Sequence, residues 1–219
     1  MKTAILISGQ FRSGAHCFPS IKKHVLDKLG DHDVIAHLAR DEDASGIAQY
    51  QPRIMAIVDQ PVLDEKNYVH RSGRQVFGIQ QCLRMWWSMR ESHKLMLESN
   101  QKYDWVVRLR PDLQFFKDME PLAELDPNEV YVPTFHNWWG YNDRFAIMGA
   151  KWAATYHSLF DQLDSYIAQG GIFHPETFLK WVLDEAGVHV KRTGVVFDTI
   201  RNNGLRVPAA WHASIGDIT

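Results

Sequence analysis

Apolar positions in this chain follow two rhythms: short unbroken runs, and longer stretches that repeat every three to four residues. Runs at 4–7, 34–38 and 54–58 are short and branched, as strands buried on both faces require. Between the first two, residues 20–29 place Ile21, Val25 and Leu26 on one face and predict a helix. Residues 40–51 are polar and predict a loop that can hold one helical turn. Val76, Ile79, Leu83 and Trp86 then step by three and four, which predicts a long helix over 75–99. Further on, strands are expected at 130–132 and 144–148, a helix at 151–167, a Pro-initiated helix at 175–185, and late strands at 188–191 and 195–197. This alternation predicts an α/β chain with a mostly parallel central sheet and helices on both faces.

The run from Tyr103 to Leu113 is a buried strand that delivers charge to one place. Residues 105–109 are apolar apart from Arg108, and Pro111 ends the strand because it cannot donate to a ladder. Strand alternation puts Arg108 and Arg110 on one face, joined by Asp112 if the chain stays extended. Two cations and a carboxylate at the carboxyl end of a strand suit an anionic ligand such as a phosphate. Either Asp112 holds Mn²⁺ or Mg²⁺ against substrate phosphates, or the arginines neutralise a diphosphate directly. The structural alternative is an ion pair of Arg108 with Asp104 or with a distant acid.

Loops carry the other candidates. Ser8, Gly9, Gln10 and Arg12 follow the first strand. They match neither Gly-x-Gly-x-x-Gly nor the Walker phosphate loop, which disfavours a dinucleotide-binding site and ATP hydrolysis. They do offer backbone, amide and guanidinium groups to a nucleotide. Asp143 precedes the 144–148 strand, where it serves as a proton acceptor or as half of an Asn-Asp turn. Glu176 opens the 175–185 helix, where it meets substrate or complements the helix dipole. Trp138 and Trp139 beside Gly140 form a sugar platform or plug the sheet edge, whereas Trp86-Trp87 reads as core packing. His212 is a late residue that could complete a metal site.

Net charge is -2, which disfavours a nucleic-acid partner relying on bulk positive charge. Two cysteines make no disulfide framework, so a reducing, cytoplasmic setting is the expectation. The first apolar run is shorter than the roughly 7–15 residues of a signal core. No apolar run approaches the roughly 20 residues of a membrane span. Peripheral membrane association stays open.

With these residues in place, the chain resembles nucleotide-sugar-dependent glycosyltransferases of the GT-A fold, and is similar to WavE-type lipopolysaccharide and surface-polysaccharide enzymes. The residues that carry the likeness are Ile7 to Arg12, the long helix from Gln75, Tyr103 to Leu113, Asn142 to Ile147, and His174-Pro175-Glu176, in that order. The resemblance implies a single Rossmann-like domain, with about 1–113 binding the nucleotide and about 114–219 the acceptor. It implies a nucleotide-diphosphate sugar donor and a carbohydrate acceptor. Gln10, Arg12 and Arg74 would contact the nucleotide, and Asp112 would stand for the last Asp of the Asp-x-Asp motif. Asp143 and Glu176 fall where GT-A enzymes hold acceptor and donor sugars, and are the catalytic candidates: one or the other would act as base or orient the acceptor hydroxyl. Arg110 replaces the motif's first Asp, which leaves Mn²⁺ or Mg²⁺ dependence open. Two rivals remain: nucleotidyl transfer onto a sugar phosphate, and a non-catalytic glycan-binding domain.

Overall fold

β1 (Thr3–Gly9) runs through the middle of the molecule, and its side chains alternate between two separate cores. Ala4 and Leu6 face one, while Ile5 and Ile7 face the other. The computed structural model describes residues 1–41, 43–65, 68 and 78–209. On either side of β1 lie β2 (His32–Ala39) and β4 (Trp105–Leu109), both parallel to it, and β3 (Ile54–Val58) extends the sheet beyond β2. The full order is β3-β2-β1-β4-β7-β6-β8, with β6 (Glu129–Pro133), β7 (Phe145–Gly149) and β8 (His189–Thr193). β7 is antiparallel to both of its neighbours, and the remaining pairs are parallel. The sheet is therefore mostly parallel, as the apolar runs predict.

Helix α1 (Gly14–His24) covers one face. The other is covered by α2 (Ile79–Glu98), α3 (Ala153–Tyr156), α4 (Leu159–Ala168) and α5 (Pro175–Glu185). A small antiparallel sheet, β5 (Leu113–Phe115), β9 (Phe197–Ile200) and β10 (Arg206–Val207), packs on the α1 side through Leu113, Phe115 and Phe197. No helix among the described residues is long and apolar enough to cross a membrane.

Several boundaries differ from expectation. Helix α1 begins at Gly14, not at residue 20: Pro19 sits inside it, and Cys17 and Ile21, four apart, share its buried stripe. The helical turn within 40–51 is longer than expected, a 3₁₀ helix over Ala44–Tyr50 that buries Ile47 and Tyr50. The single helix expected over 151–167 breaks between α3 and α4. There His157 Nδ1 and Ser158 Oγ bond back to the Ala153 and Thr155 carbonyls, each at 2.8 Å. Nor does the chain stay extended past Arg110, because Pro111 and Asp112 form a turn before β5.

Candidate active site

Strand connections reverse direction between β1 and β4: β2 and β3 lie to one side of β1, and β4 to the other. A crevice opens outside the carboxyl ends of strands at such a switch point. Here it is a cavity of about 230 Å³ bordered by Ser8, Gly9 and Gln10 at the end of β1, Ala39 at the end of β2, and Arg108, Arg110 and Pro111 at the end of β4. Because β7 runs antiparallel to β4, pairing Leu109 with Phe145, the residues just before β7 reach the same end. That is how Asp143 and Arg144 join the crevice, with Arg110 N–H donating to the Arg144 carbonyl at 3.1 Å. The N-terminus of α5 contributes Glu176, and α2 forms the opposite wall.

Asp112 turns back toward Arg110. Arg110 donates through Nε to Oδ1 at 3.0 Å and through Nη2 to Oδ2 at 2.6 Å, while Arg12 Nη1 reaches Oδ2 at 3.0 Å. Asp112 is 1% exposed. Burial would raise its carboxyl, but the two guanidinium groups hold it at about 2. Arg12 also donates to Gln10 Oε1 through Nε and Nη2, so Gln10, Arg12, Asp112 and Arg110 form one chain of contacts. Arg12 has a left-handed backbone, φ 51°, which bends the loop toward Asp112.

Arg108 is 0% exposed and makes no ion pair, neither with Asp104 nor with another acid among the described residues. Its one hydrogen bond runs from Nη1 to the Leu109 carbonyl at 3.3 Å, and Nε and Nη2 have no partner. Burial pulls its pKa down to about 10. Ser8 Oγ, also lining the crevice, is buried and unpartnered as well. Three further arginines line the crevice that the sequence does not single out: Arg84, Arg144 and Arg201. Arg84 is tied to the Pro61 carbonyl at 2.9 Å. Burial and the neighbouring Arg110 lower the pKa of both Arg144 and Arg201, the latter to about 10. Their local sequences carry no signal of this role: Arg144 and Arg201 reach the crevice through the placement of β7 and β9, and Arg84 from helix α2.

Glu176 is 3% exposed, and its Oε2 makes no hydrogen bond. His174 Nδ1 lies 3.5 Å away, but burial lowers the His174 pKa, so at neutral pH the ring is uncharged. Burial first, and the Asp143 carboxylate second, push the Glu176 carboxyl up to about 8. Asp143 is held by its neighbour Asn142, whose Nδ2 donates to the Phe135 carbonyl and whose Oδ1 accepts from Arg144 N–H, both at 2.9 Å. Two acids in one desolvated crevice, one of them neutral at pH 7, form an acid–base arrangement.

Trp138 and Trp139 occupy the centre of a turn closed by Gly140 N–H to the Asn137 carbonyl at 2.7 Å. Both have positive φ, 43° and 65°, costly for aromatic residues. Trp139 is 79% exposed, so it does not plug the sheet, and its ring lies 6.2 Å from that of His174. The turn is pinned to α5: a Cβ on Gly140 would fall 1.9 Å from the Glu176 carbonyl oxygen, which accepts from Tyr141 N–H at 3.0 Å. Trp86 is core, as expected, but the half-buried Trp87 lines the crevice instead.

Arg74 and His212 lie outside the described residues. Both Asp112 oxygens accept guanidinium hydrogens, so a divalent cation at Asp112 would have to compete with Arg110 and Arg12. Among the described residues no group of three or more His, Cys, Asp or Glu is placed to hold a metal ion.

A family model described as Domain of unknown function (DUF7796) matches residues 1–212. That family stands in place of the WavE-type families the sequence resembles. No curated protein matches the chain. Among solved structures, the chain is similar to the apo form of mouse xyloside xylosyltransferase 1, with 12% sequence identity, a TM-score of 0.49, and coverage of 88% of this chain and 85% of that one.

Proposed function

We propose that this chain, which belongs to the DUF7796 family, transfers a sugar from a nucleotide-diphosphate donor to a hydroxyl acceptor, in surface polysaccharide or glycoconjugate synthesis. One observation carries the reading: an arginine-lined crevice at the sheet's switch point holds two buried acids, Asp143 and Glu176. The arginines stabilise the diphosphate as it departs. As the acceptor oxygen bonds to the anomeric carbon, the carbon–oxygen bond to the diphosphate breaks and its electron pair passes to the phosphate oxygen. Asp143 takes the acceptor's proton, and Glu176, protonated at neutral pH, donates a hydrogen bond to a sugar hydroxyl. Trp139, exposed beside His174 at the start of α5, offers a flat face to the acceptor. Ser8, Gly9 and Gln10 meet the nucleotide.

A thermal-shift screen of nucleotide sugars, followed by chromatography for released nucleoside diphosphate, tests this. The expected result is stabilisation by one donor class and slow donor hydrolysis. Stabilisation by free glycans alone, with no response to any nucleotide sugar, supports the glycan-binding rival and overturns the proposal.

A further inference from the structure

A guanidinium buried without a partner is costly, because its donors have left water and gained nothing in return. Arg108 is in that condition, with Nε and Nη2 both unsatisfied, and it borders the crevice. Arg201, near Arg110 and Arg12, makes no ion pair among the described residues, and Arg144 makes a side-chain hydrogen bond of 3.4 Å to Thr199 Oγ1. Among the described residues, six arginines thus face two carboxyl groups across one cavity. The carboxylate best placed to hold a cation, Asp112, is consumed by Arg110 and Arg12. Glu176 and Asp143, the remaining acids, are themselves surrounded by Arg144 and Arg110, whose charges oppose entry of a further cation.

We infer that the crevice binds a diphosphate through guanidinium groups alone, with no divalent cation, and that Arg108 is the group whose missing hydrogen bonds the diphosphate supplies. This rests on the diphosphate donor proposed above. A guanidinium presents its donors in a fixed fork that matches phosphate oxygens, and several of them together replace the two charges a bound Mg²⁺ or Mn²⁺ would bring. Asp112 then has a different task from a metal ligand: it aligns Arg110 and Arg12 and keeps their planes fixed before the ligand arrives. An arginine kept unpaired in the free protein is a cost that bound ligand removes.

The test is calorimetric titration of the intact chain with inorganic pyrophosphate and with nucleoside diphosphates, in EDTA and again with Mn²⁺ or Mg²⁺. The expected result is binding in EDTA within about two-fold of that with metal. Binding of nucleoside diphosphates that needs the metal, tighter by ten-fold or more, overturns the inference and leaves the donor reading standing. Pyrophosphate binding in EDTA without any nucleotide binding supports the inference and overturns the nucleotide donor. No binding of either ligand under any condition overturns both. Arg108→Met separates function from folding: it should leave the melting temperature of the free protein unchanged or raised, while weakening diphosphate binding at least ten-fold. A fall in melting temperature with unchanged binding would make Arg108 structural and overturn its role.

Discussion

Arg110 and Asp112, two residues apart, meet in a two-point contact, Nε to Oδ1 at 3.0 Å and Nη2 to Oδ2 at 2.6 Å. The intervening Pro111 ends β4 and lets the chain turn, so the acid folds back onto the arginine it follows. The pair presents one oriented cation to the crevice, and its acid is unavailable for anything else.

Asp112→Asn should therefore act on affinity and stability together. Removing one partner of a buried pair leaves uncompensated charge and typically costs about 3–5 kcal/mol. Its pH signature follows from a depressed pKa. The stabilisation from Asp112 is complete above the unfolded value of about 4 and fades as pH falls toward about 2, a loss of about 2 kcal/mol. Wild type should lose melting temperature between pH 4 and 2 more steeply than Asp112→Asn. Parallel curves for the two proteins would contradict the assignment.

Arg110→Ala should weaken binding of a nucleoside diphosphate far more than binding of the bare nucleoside. Charge-assisted hydrogen bonds to phosphate contribute about 1.5–3 kcal/mol each. Equal losses for both ligands in calorimetry would assign Arg110 to the fold instead.

Glu176 has its pKa raised to about 8, so folding withholds ionisation that the unfolded chain gains near pH 4.5. The resulting penalty is absent at low pH, grows between about 4.5 and 8, and is complete above. Glu176→Gln should match wild type in melting temperature at pH 4, exceed it at pH 8, and keep activity because its amide donates the same hydrogen bond, whereas Glu176→Leu should lose activity. A mutant less stable than wild type at pH 8 would refute this.

Trp139 is exposed in a left-handed turn, so its contribution to stability is small or negative. Trp139→Gly relieves backbone strain, an effect of about 1 kcal/mol, and should hold or raise the melting temperature. The same change should raise the acceptor KM with donor affinity nearly unaltered. Unchanged acceptor kinetics would retire the platform.

Gly140→Ala has no room, because the new Cβ would strike the Glu176 carbonyl. It should lower the melting temperature and shift the pH profile of whatever activity Glu176 supports. A fully stable Ala variant would show that the turn and α5 can separate.

Local pattern alone determined much of this protein. Strands at Ile54–Val58 and Trp105–Leu109 and the helix Pro175–Glu185 fall where the sequence places them, because unbroken apolar runs and prolines are local signals. Gln10, Arg108, Arg110, Asp143 and Glu176 line one crevice for the same reason: each sits at the end of a legible element. β5 and β10, three and two residues long, are too short to carry a period. What only the tertiary structure decided is which strands became neighbours and what they dried out. The antiparallel insertion of β7 brings Arg144 beside Arg110, and the small sheet brings Arg201, across sequence separations that no local rule spans. The neutrality of Glu176 and the loneliness of Arg108 arise in the same way. Both follow from desolvation by residues far away in the chain, and a charge's environment exists only once the fold has closed around it.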